Sequence, residues 1–270
     1  MLLATPIVNI PAEELEMEER HFARGGFGKV YKASWSRRGE KVVVKAIDVV
    51  DDGRKQGVRS EAALALFLNH ANVIKLYGIT SLNPEQLGIV MELAEHDSLD
   101  KWIGLIDQDN MRKIALGIID GLVYVHSQKV IHRDIKPNNI LLFGPEDDMI
   151  PKIADFGVSK LIQTAAMSHT RVGQDLYMAP EVKMLEHYSF PADIFSLAMT
   201  LFEMFNDQLI HQSSSAVKQF IMRVHSGRIG EMPQSCKVPD CLRGIIRRGW
   251  NEKPEERPTL SQYQAIINGK

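Results

Sequence analysis

The spacing of apolar residues changes near residue 94, and this change restricts the folds that the chain can adopt. Before it, strand-like runs occupy residues 30–35, 41–47 and 87–93, joined by turns with glycine and charged residues. One helix is predicted among them, over residues 58–69, from its alanines and leucines. After residue 94 the spacing becomes helical. A strand-rich first third and a helical remainder predict an α+β fold in two lobes.

Two helices of different character are predicted in the second part of the chain. The first carries apolar residues at three- and four-residue steps over residues 111–125, with Asp107 or Asp109 as its N-cap. The second, over residues 192–205, is apolar on almost every side, which is typical of a helix buried within a domain. Residues 159–173 show no periodicity, and a loop of that length indicates a functional segment.

The composition argues against several classes of protein. The chain has 270 residues, 44% of them hydrophobic, and a formal net charge of -2, so no global charge selects nucleic acid or an anionic membrane as its main partner. Cys236 and Cys241 lack zinc-ligand spacing and are expected to be reduced. The N-terminus lacks the basic region of a signal peptide, and no apolar run reaches membrane-spanning length. A cytoplasmic location is therefore expected.

Three glycines in the strand-rich region form the sequence Gly25-Gly26-Phe27-Gly28. Glycines let backbone amides approach a chain of phosphates closely, although tight hairpins use the same composition. A dinucleotide-binding fold would need a helix directly after them, whereas residues 30–35 are predicted as a strand. The glycines therefore indicate either a phosphate-binding hairpin or an ordinary turn.

A single lysine, Lys45, lies in the otherwise apolar predicted strand 41–47. A buried ammonium is costly unless an anion meets it, and Glu61 on the predicted helix is the natural partner. The alternative is that Lys45 only extends its charged end to solvent from the end of a strand.

The most specific segment is His132-Arg133-Asp134-Ile135-Lys136-Pro137-Asn138-Asn139, which is followed by Asp155-Phe156-Gly157 and Ala179-Pro180-Glu181. In this order and spacing, these motifs resemble the signature of the protein kinase family. The resemblance extends from residue 22 to residue 259, and Trp250 resembles the tyrosine-kinase-like group. It implies the bilobal protein kinase fold, with a small antiparallel β-sheet lobe containing one helix over residues 22–94, a larger, mainly helical lobe over 95–270, and an N-terminal extension over 1–21.

The resemblance also implies a role for each matching residue in phosphoryl transfer from ATP. Asp134 would orient the substrate hydroxyl and accept its proton, while Lys136 would neutralise the transferred phosphate. Lys45 would hold the α- and β-phosphates, paired with Glu61. The ligands of Mg²⁺, or alternatively of Mn²⁺, would be Asn139 and Asp155. The contacts with ATP would come from Gly25, Gly26, Gly28, Val30, Val43, Lys45, Met91, Glu92, Ala94 and Leu141.

Several positions depart from the family's pattern, and three of them bear on nucleotide binding and acceptor specificity. Ala23 stands where the first glycine of the phosphate loop is usual, and Val43 replaces an alanine above the adenine, so weaker nucleotide binding is expected. Gln174 stands where serine/threonine kinases place a threonine. Because Lys136 matches the serine/threonine pattern, we expect a serine/threonine kinase, with dual specificity as the fallback. The rival interpretation, a kinase-fold scaffold without turnover, is disfavoured because all the proposed phosphate-binding, catalytic and metal-binding residues are present.

Regulation is expected to depend on the loop between the second and third motifs. Thr170 has the spacing at which related kinases carry an activating phosphothreonine, with Thr164 and Ser168 as alternatives. Arg133 and Lys160 would bind the phosphate through charge-assisted hydrogen bonds.

Other matching residues are expected to serve the structure. Glu181 and Arg257 resemble the family's buried ion pair, and His132 and Phe156 its hydrophobic spine, with Ala65 and Leu76 above them. The partners that the resemblance implies are ATP, protein substrates in signalling, and a second copy of the chain for trans-autophosphorylation. No nucleic acid or membrane partner is expected.

Overall fold

The computed structural model describes residues 7–25, 28–156, 176–183 and 189–269, with side chains except at 23–25, 61 and 64. Of these residues, one compact unit contains 7–25, 28–94, 155 and 156, and the other contains the rest. The change from the first unit to the second falls between Ala94 and Glu95, where the apolar spacing changes.

The first unit is built on an antiparallel sheet. Its strands are β1 (Leu15–Met17), β2 (Ala23–Gly25), β3 (Gly28–Trp35), β4 (Glu40–Asp48), β5 (Leu76–Asn83) and β6 (Gln86–Glu92). They lie in the order β1-β3-β4-β6-β5, and β2 pairs with β3. The three predicted strands are confirmed as β3, β4 and β6. The sequence signal was weaker for β1 and β2, which have three residues each, and for β5, which contains Gly78 and several polar residues.

One helix, α1 (Asp52–Phe67), packs against the sheet of the first unit. It begins earlier than the predicted residue 58 because the Asp51 side chain accepts a hydrogen bond from the backbone N–H of Arg54. Gly53 and Gly57 in the first turns have low helix propensity, which hid this start.

The described part of residues 1–21, which the resemblance predicts as an N-terminal extension, lies in the first unit. Strand β1 pairs with β3 in the sheet, and Ile10 donates a backbone hydrogen bond to Ile79 on β5. The reason is hydrophobic, because Ile10 and Leu15 are buried against the sheet.

The second unit is mainly helical. Its helices are α2 (Gln108–Ser127), α3 (Pro180–Lys183), α4 (Phe190–Phe205), α5 (Ser215–His225), α6 (Asp240–Gly249) and α7 (Leu260–Ile267). The strands β7 (Ile140–Phe143) and β8 (Ile150–Ile153) form an antiparallel pair. The Asp107 side chain caps α2, which confirms one of the two predicted caps. The predicted fold, a sheet lobe with one helix and a mainly helical lobe, is confirmed.

Helix α4 forms the centre of the second unit, and its residues from Ala192 to Phe205 are buried, as predicted. Phe202 packs edge-on against Trp250, and both contact Phe220. Cys236 and Cys241 carry free thiols. Within the described ranges, none of the helices is long and apolar enough to cross a membrane.

Candidate active site

Lys45 lies in the middle of β4, and its side chain forms an ion pair with Asp155. The residue is only 5% exposed, so the alternative that it extends to solvent from a strand end is wrong. Asp155 has a left-handed backbone conformation, with a φ of 67°, which costs energy for a residue with a Cβ. Such strain is typical of functional positions, and here it accompanies the contact of the carboxylate with the ammonium.

The lysine and the aspartate line a small cavity with apolar walls. The other lining residues are Ala62, Ala65, Ile74, Leu76, Ile89, Met91 and Phe156. Three of the predicted spine members therefore lie around one cavity in the first unit. Glu61 precedes Ala62 on α1, but its side chain lies outside the described part of the chain, so the Lys45–Glu61 pair stays a prediction.

The predicted nucleotide contacts of the first unit follow the strands of the sheet. Gly28 opens β3, and a Cβ on it would lie 2.0 Å from the carbonyl oxygen of Ala46 on β4. Glycine is therefore required there for the packing of two strands, whether or not a phosphate binds. Gly25 ends β2, whereas Gly26 lies outside the described residues.

The other predicted adenine contacts lie on or beside neighbouring strands. Val30 pairs with Lys45, and Val43 pairs with Met91 in the sheet register. Glu92 ends β6, and Ala94 follows it by two residues. In the second unit, Leu141 lies on β7 and forms an isolated bridge with Ser98. The contacts of these residues with ATP stay predictions.

Three of the predicted catalytic and metal-binding side chains meet in the second unit around Asp134. The Lys136 ammonium donates to Asp134 Oδ2 at 2.7 Å, and the Asn139 amide donates to the same oxygen at 2.8 Å. Asn139 also donates to the backbone carbonyl of Asp134 at 2.7 Å. The carboxylate is therefore held in one orientation while remaining partly exposed, with 18% of its side-chain surface accessible.

Asp193, at the start of α4, holds the backbone that precedes Asp134. It is completely buried, and its two carboxylate oxygens accept hydrogen bonds from the backbone N–H groups of His132 and Arg133, both at 2.8 Å. His126 Nε2 lies 2.8 Å from the same carboxylate. Arg133 has a φ of 75°, so Asp193 supports a strained backbone. The sequence signal for this role is a carboxylate in an otherwise apolar helix.

A second polar contact on α4 was missed in the sequence. The hydroxyl of Tyr177 donates to Glu203, and Glu203 also accepts from the backbone N–H of Ile210 at 2.7 Å. Ser196 donates its hydroxyl to the carbonyl oxygen of Tyr177 at 2.7 Å. Burial raises the pKa of Glu203 to about 7, and the Asp100 carboxylate adds to the rise. Helix α4 therefore holds both the backbone at His132 and Arg133 and the residue Tyr177.

The predicted ion pair between Glu181 and Arg257 is confirmed. The two guanidinium nitrogens donate to the two carboxylate oxygens at 2.6 and 2.7 Å, and both side chains are buried. The pair joins α3 to the segment before α7, and thus serves the structure rather than the chemistry.

The proposed metal ligands are chemically suitable for a hard divalent cation. The hydrogen bonds of the Asn139 amide nitrogen leave the amide oxygen as its coordinating atom, and Asp155 supplies a carboxylate. The predicted regulatory residues Thr170 and Lys160 lie outside the described part of the chain, as does Gln174.

The sheet unit with its buried Lys45–Asp155 pair and the mainly helical unit that holds Asp134 have the architecture of a protein kinase domain. Residues 17–266 match the family described as "Protein kinase domain", and the chain belongs to that family.

Among its relatives, the chain is 31% identical over 264 residues to the serine/threonine-protein kinase dst1 of Dictyostelium discoideum, which covers 96% of this chain and 35% of that protein. It is 32% identical over 276 residues to the cysteine-rich receptor-like protein kinase 10 of Arabidopsis thaliana, covering 93% of this chain and 40% of the relative. The serine/threonine/tyrosine-protein kinase HT1 of Arabidopsis thaliana is 28% identical over 255 residues, covering 91% of this chain and 64% of HT1. The chain thus spans less than half the length of the first two relatives.

Proposed function

We propose that this domain transfers the γ-phosphate of ATP to serine and threonine hydroxyls of proteins. The observation that carries the proposal is the Asp134 carboxylate, which Lys136 and Asn139 hold in a loop fixed by Asp193. Relatives that are named serine/threonine-protein kinases support the choice of acceptor.

The chemistry would depend on position and charge, because phosphoryl transfer spreads negative charge over the transferred group. The Asp134 carboxylate would orient the acceptor hydroxyl and take its proton, and the Lys136 ammonium beside it would neutralise the transferred phosphate. The buried ammonium of Lys45 would bind the α- and β-phosphates. Asp155 and Asn139 would hold a divalent metal, which we propose is Mg²⁺, with Mn²⁺ as the alternative. When bound, such a metal neutralises phosphate charge and orients the nucleotide.

The test of this function uses purified protein, labelled ATP and a peptide library. Lys45→Met and Asp134→Asn should each abolish transfer without loss of the fold, because both side chains act on charge and orientation. The melting temperature of each variant is the control for folding. Full turnover by either variant, with contaminating kinases excluded, would contradict the assignment. A wild-type protein that binds ATP but never transfers phosphate would support the scaffold interpretation instead.

The acceptor residue is tested separately by phosphoamino-acid analysis of the autophosphorylated protein. We expect phosphoserine and phosphothreonine, because Lys136 follows Asp134 by two residues, as in serine/threonine kinases. Dual specificity is the second candidate, which is favoured by the name of one relative, a serine/threonine/tyrosine-protein kinase. Predominant phosphotyrosine would show that both assignments are wrong.

Regulation by Thr170 is also part of the proposal. Phosphorylation there would add a dianion for Arg133 and Lys160 to bind. After complete autophosphorylation, Thr170→Ala should be slower than the wild type and its loop should be cleaved faster by protease, whereas equality in both measurements would exclude Thr170 as the switch. A rate per molecule that rises with protein concentration would indicate trans-autophosphorylation. We also propose a cytoplasmic location and a role in signalling. Fluorescence imaging would test the location.

A further inference from the structure

The N-terminal residues 8–17 form a strap that contacts β5 at one edge of the sheet and contributes β1 at the other edge. At one end, the Ile10 N–H donates to the carbonyl of Ile79 on β5 at 2.7 Å, and the Ile79 N–H donates to the carbonyl of Val8 at 2.9 Å. At the other end, β1 pairs with β3, with Leu15 opposite Trp35. Strands β5 and β1 are the two edge strands of the sheet. The strap joins them, so it must cross one face of the sheet.

The face that the strap covers is the one that carries a cluster of buried apolar residues. Its members are Ile10, Leu15, Ala33, Trp35, Val42, Val44 and Val90. The crossing is also fixed by polar contacts, since the Trp35 indole donates to the Glu14 carboxylate at 2.9 Å and the Ser36 N–H donates to the Glu14 carbonyl at 2.9 Å. The strap is therefore packed against the sheet through Ile10 and Leu15 and hydrogen-bonded at Val8, Ile10 and Glu14.

Lys45 lies directly behind this contact. Side chains alternate between the faces of a strand, so Val44 points to the strap and Lys45 points to the opposite face, towards Asp155. The sheet register also connects the strap to the lysine, because Asn9 pairs with Ile79, Ile79 with Ile89, and Ile89 with Lys45. The strap thus supports the strand that presents the ammonium.

We propose that the strap positions Lys45 for the phosphates of ATP, and that Ile10 is its principal positioning residue. Protein interiors are close-packed, so a cavity under Ile10 would let β4 and β6 shift, and small misplacements of phosphate-binding groups weaken binding strongly. The proposal rests on the proposed kinase function. Most of the strap, residues 8–16, precedes residue 17, where the match to the kinase family model begins.

The first experiment compares Ile10→Ala with Ile267→Ala. Both isoleucines are 4% exposed, but Ile267 lies in α7 of the second unit. Both variants should melt at a lower temperature. Only Ile10→Ala should raise the KM for ATP and the dissociation constant of a non-hydrolysable Mg·ATP analogue, by about three- to tenfold, with the KM for the acceptor peptide unchanged. Ile10→Val serves as the milder variant if Ile10→Ala does not fold.

The second experiment uses Gly78, which lies under the strap on β5. A Cβ there would lie 2.3 Å from the carbonyl oxygen of Val8 and 3.2 Å from Ile10 Cδ1. Gly78→Ala should therefore displace the strap and weaken nucleotide binding as Ile10→Ala does. Both changes act through the same contact. The double variant should therefore have about the same nucleotide affinity as the single variant that binds the nucleotide less tightly.

Unchanged nucleotide affinity in both Ile10→Ala and Gly78→Ala, with lowered melting temperatures, would overturn the proposal and leave the strap a stabilising element only. The proposal would also be overturned if the increases in the dissociation constant caused by the two single changes multiplied in the double variant. Equilibrium binding of the analogue needs no turnover. A wild-type protein that binds nucleotide but phosphorylates no acceptor would therefore refute the proposed activity, while the variants would still test the strap.

Discussion

Replacing Arg257 by methionine should destabilise the second unit severely. Its guanidinium makes four hydrogen bonds, two of them to the Glu181 carboxylate, one to the carbonyl of Asn251 and one to the carbonyl of Pro191. Only 1% of the arginine side chain and 7% of the glutamate side chain are exposed, so water cannot replace the lost partner.

The loss in the free energy of unfolding can be estimated from the buried groups that lose their hydrogen-bond partner. A buried carboxylate that loses its cation costs about 3–5 kcal/mol, because its desolvation is no longer compensated. The two carbonyls that lose a donor add about 1 kcal/mol each. The total is about 5 kcal/mol or more, which lowers the melting temperature by about 10 °C or more for a domain of this size.

The assay is reversible denaturation in urea, with Lys253→Met as the matched control. Lys253 also pairs with a carboxylate, that of Glu256, but 66% and 49% of these side chains are exposed, so no measurable loss is expected. Replacing Glu181 by leucine in addition to Arg257→Met should recover part of the loss, since no charge then stays buried. An Arg257→Met variant within about 1 kcal/mol of the wild type would refute this reasoning.

Two further predictions concern helix α4. The pKa of Glu203 is raised from 4.5 to about 7, so its contribution to stability is fully present below pH 4.5 and is lost as the pH rises through 7. The loss of stability is up to about 3 kcal/mol, and Glu203→Gln should remove this pH dependence. Urea denaturation of the wild type and the variant at pH 5 and pH 8 measures it. Equal pH dependence in the two proteins would contradict the assignment. Gly249→Ala would place a Cβ 2.1 Å from the Tyr263 hydroxyl oxygen and 2.6 Å from Ala198 Cβ, so a loss of about 1–3 kcal/mol is expected, partly restored by Ala198→Gly. A Gly249→Ala variant as stable as the wild type would show that the helices around Gly249 can move apart at no cost in free energy.

The sequence alone was sufficient for features that depend on neighbouring residues. The change of apolar spacing near residue 94 predicted the two kinds of architecture, because side-chain spacing follows the period of each element. The Asp107 cap and the buried helix 192–205 were predicted for the same local reason. The segment from His132 to Asn139 was specific enough to identify the family, because its chemistry requires several residue types at fixed short distances along the chain.

Only the tertiary structure decided which distant groups meet. Lys45 is paired with Asp155, 110 residues away, and the backbone N–H of His132 is bound by Asp193, 61 residues away. The burial of Ile10 against the sheet also depends on tertiary structure, because a short apolar run does not show which surface will bury it. Burial and charge compensation depend on the path of the whole chain, whereas spacing along the sequence reports only what lies within a few turns or strands.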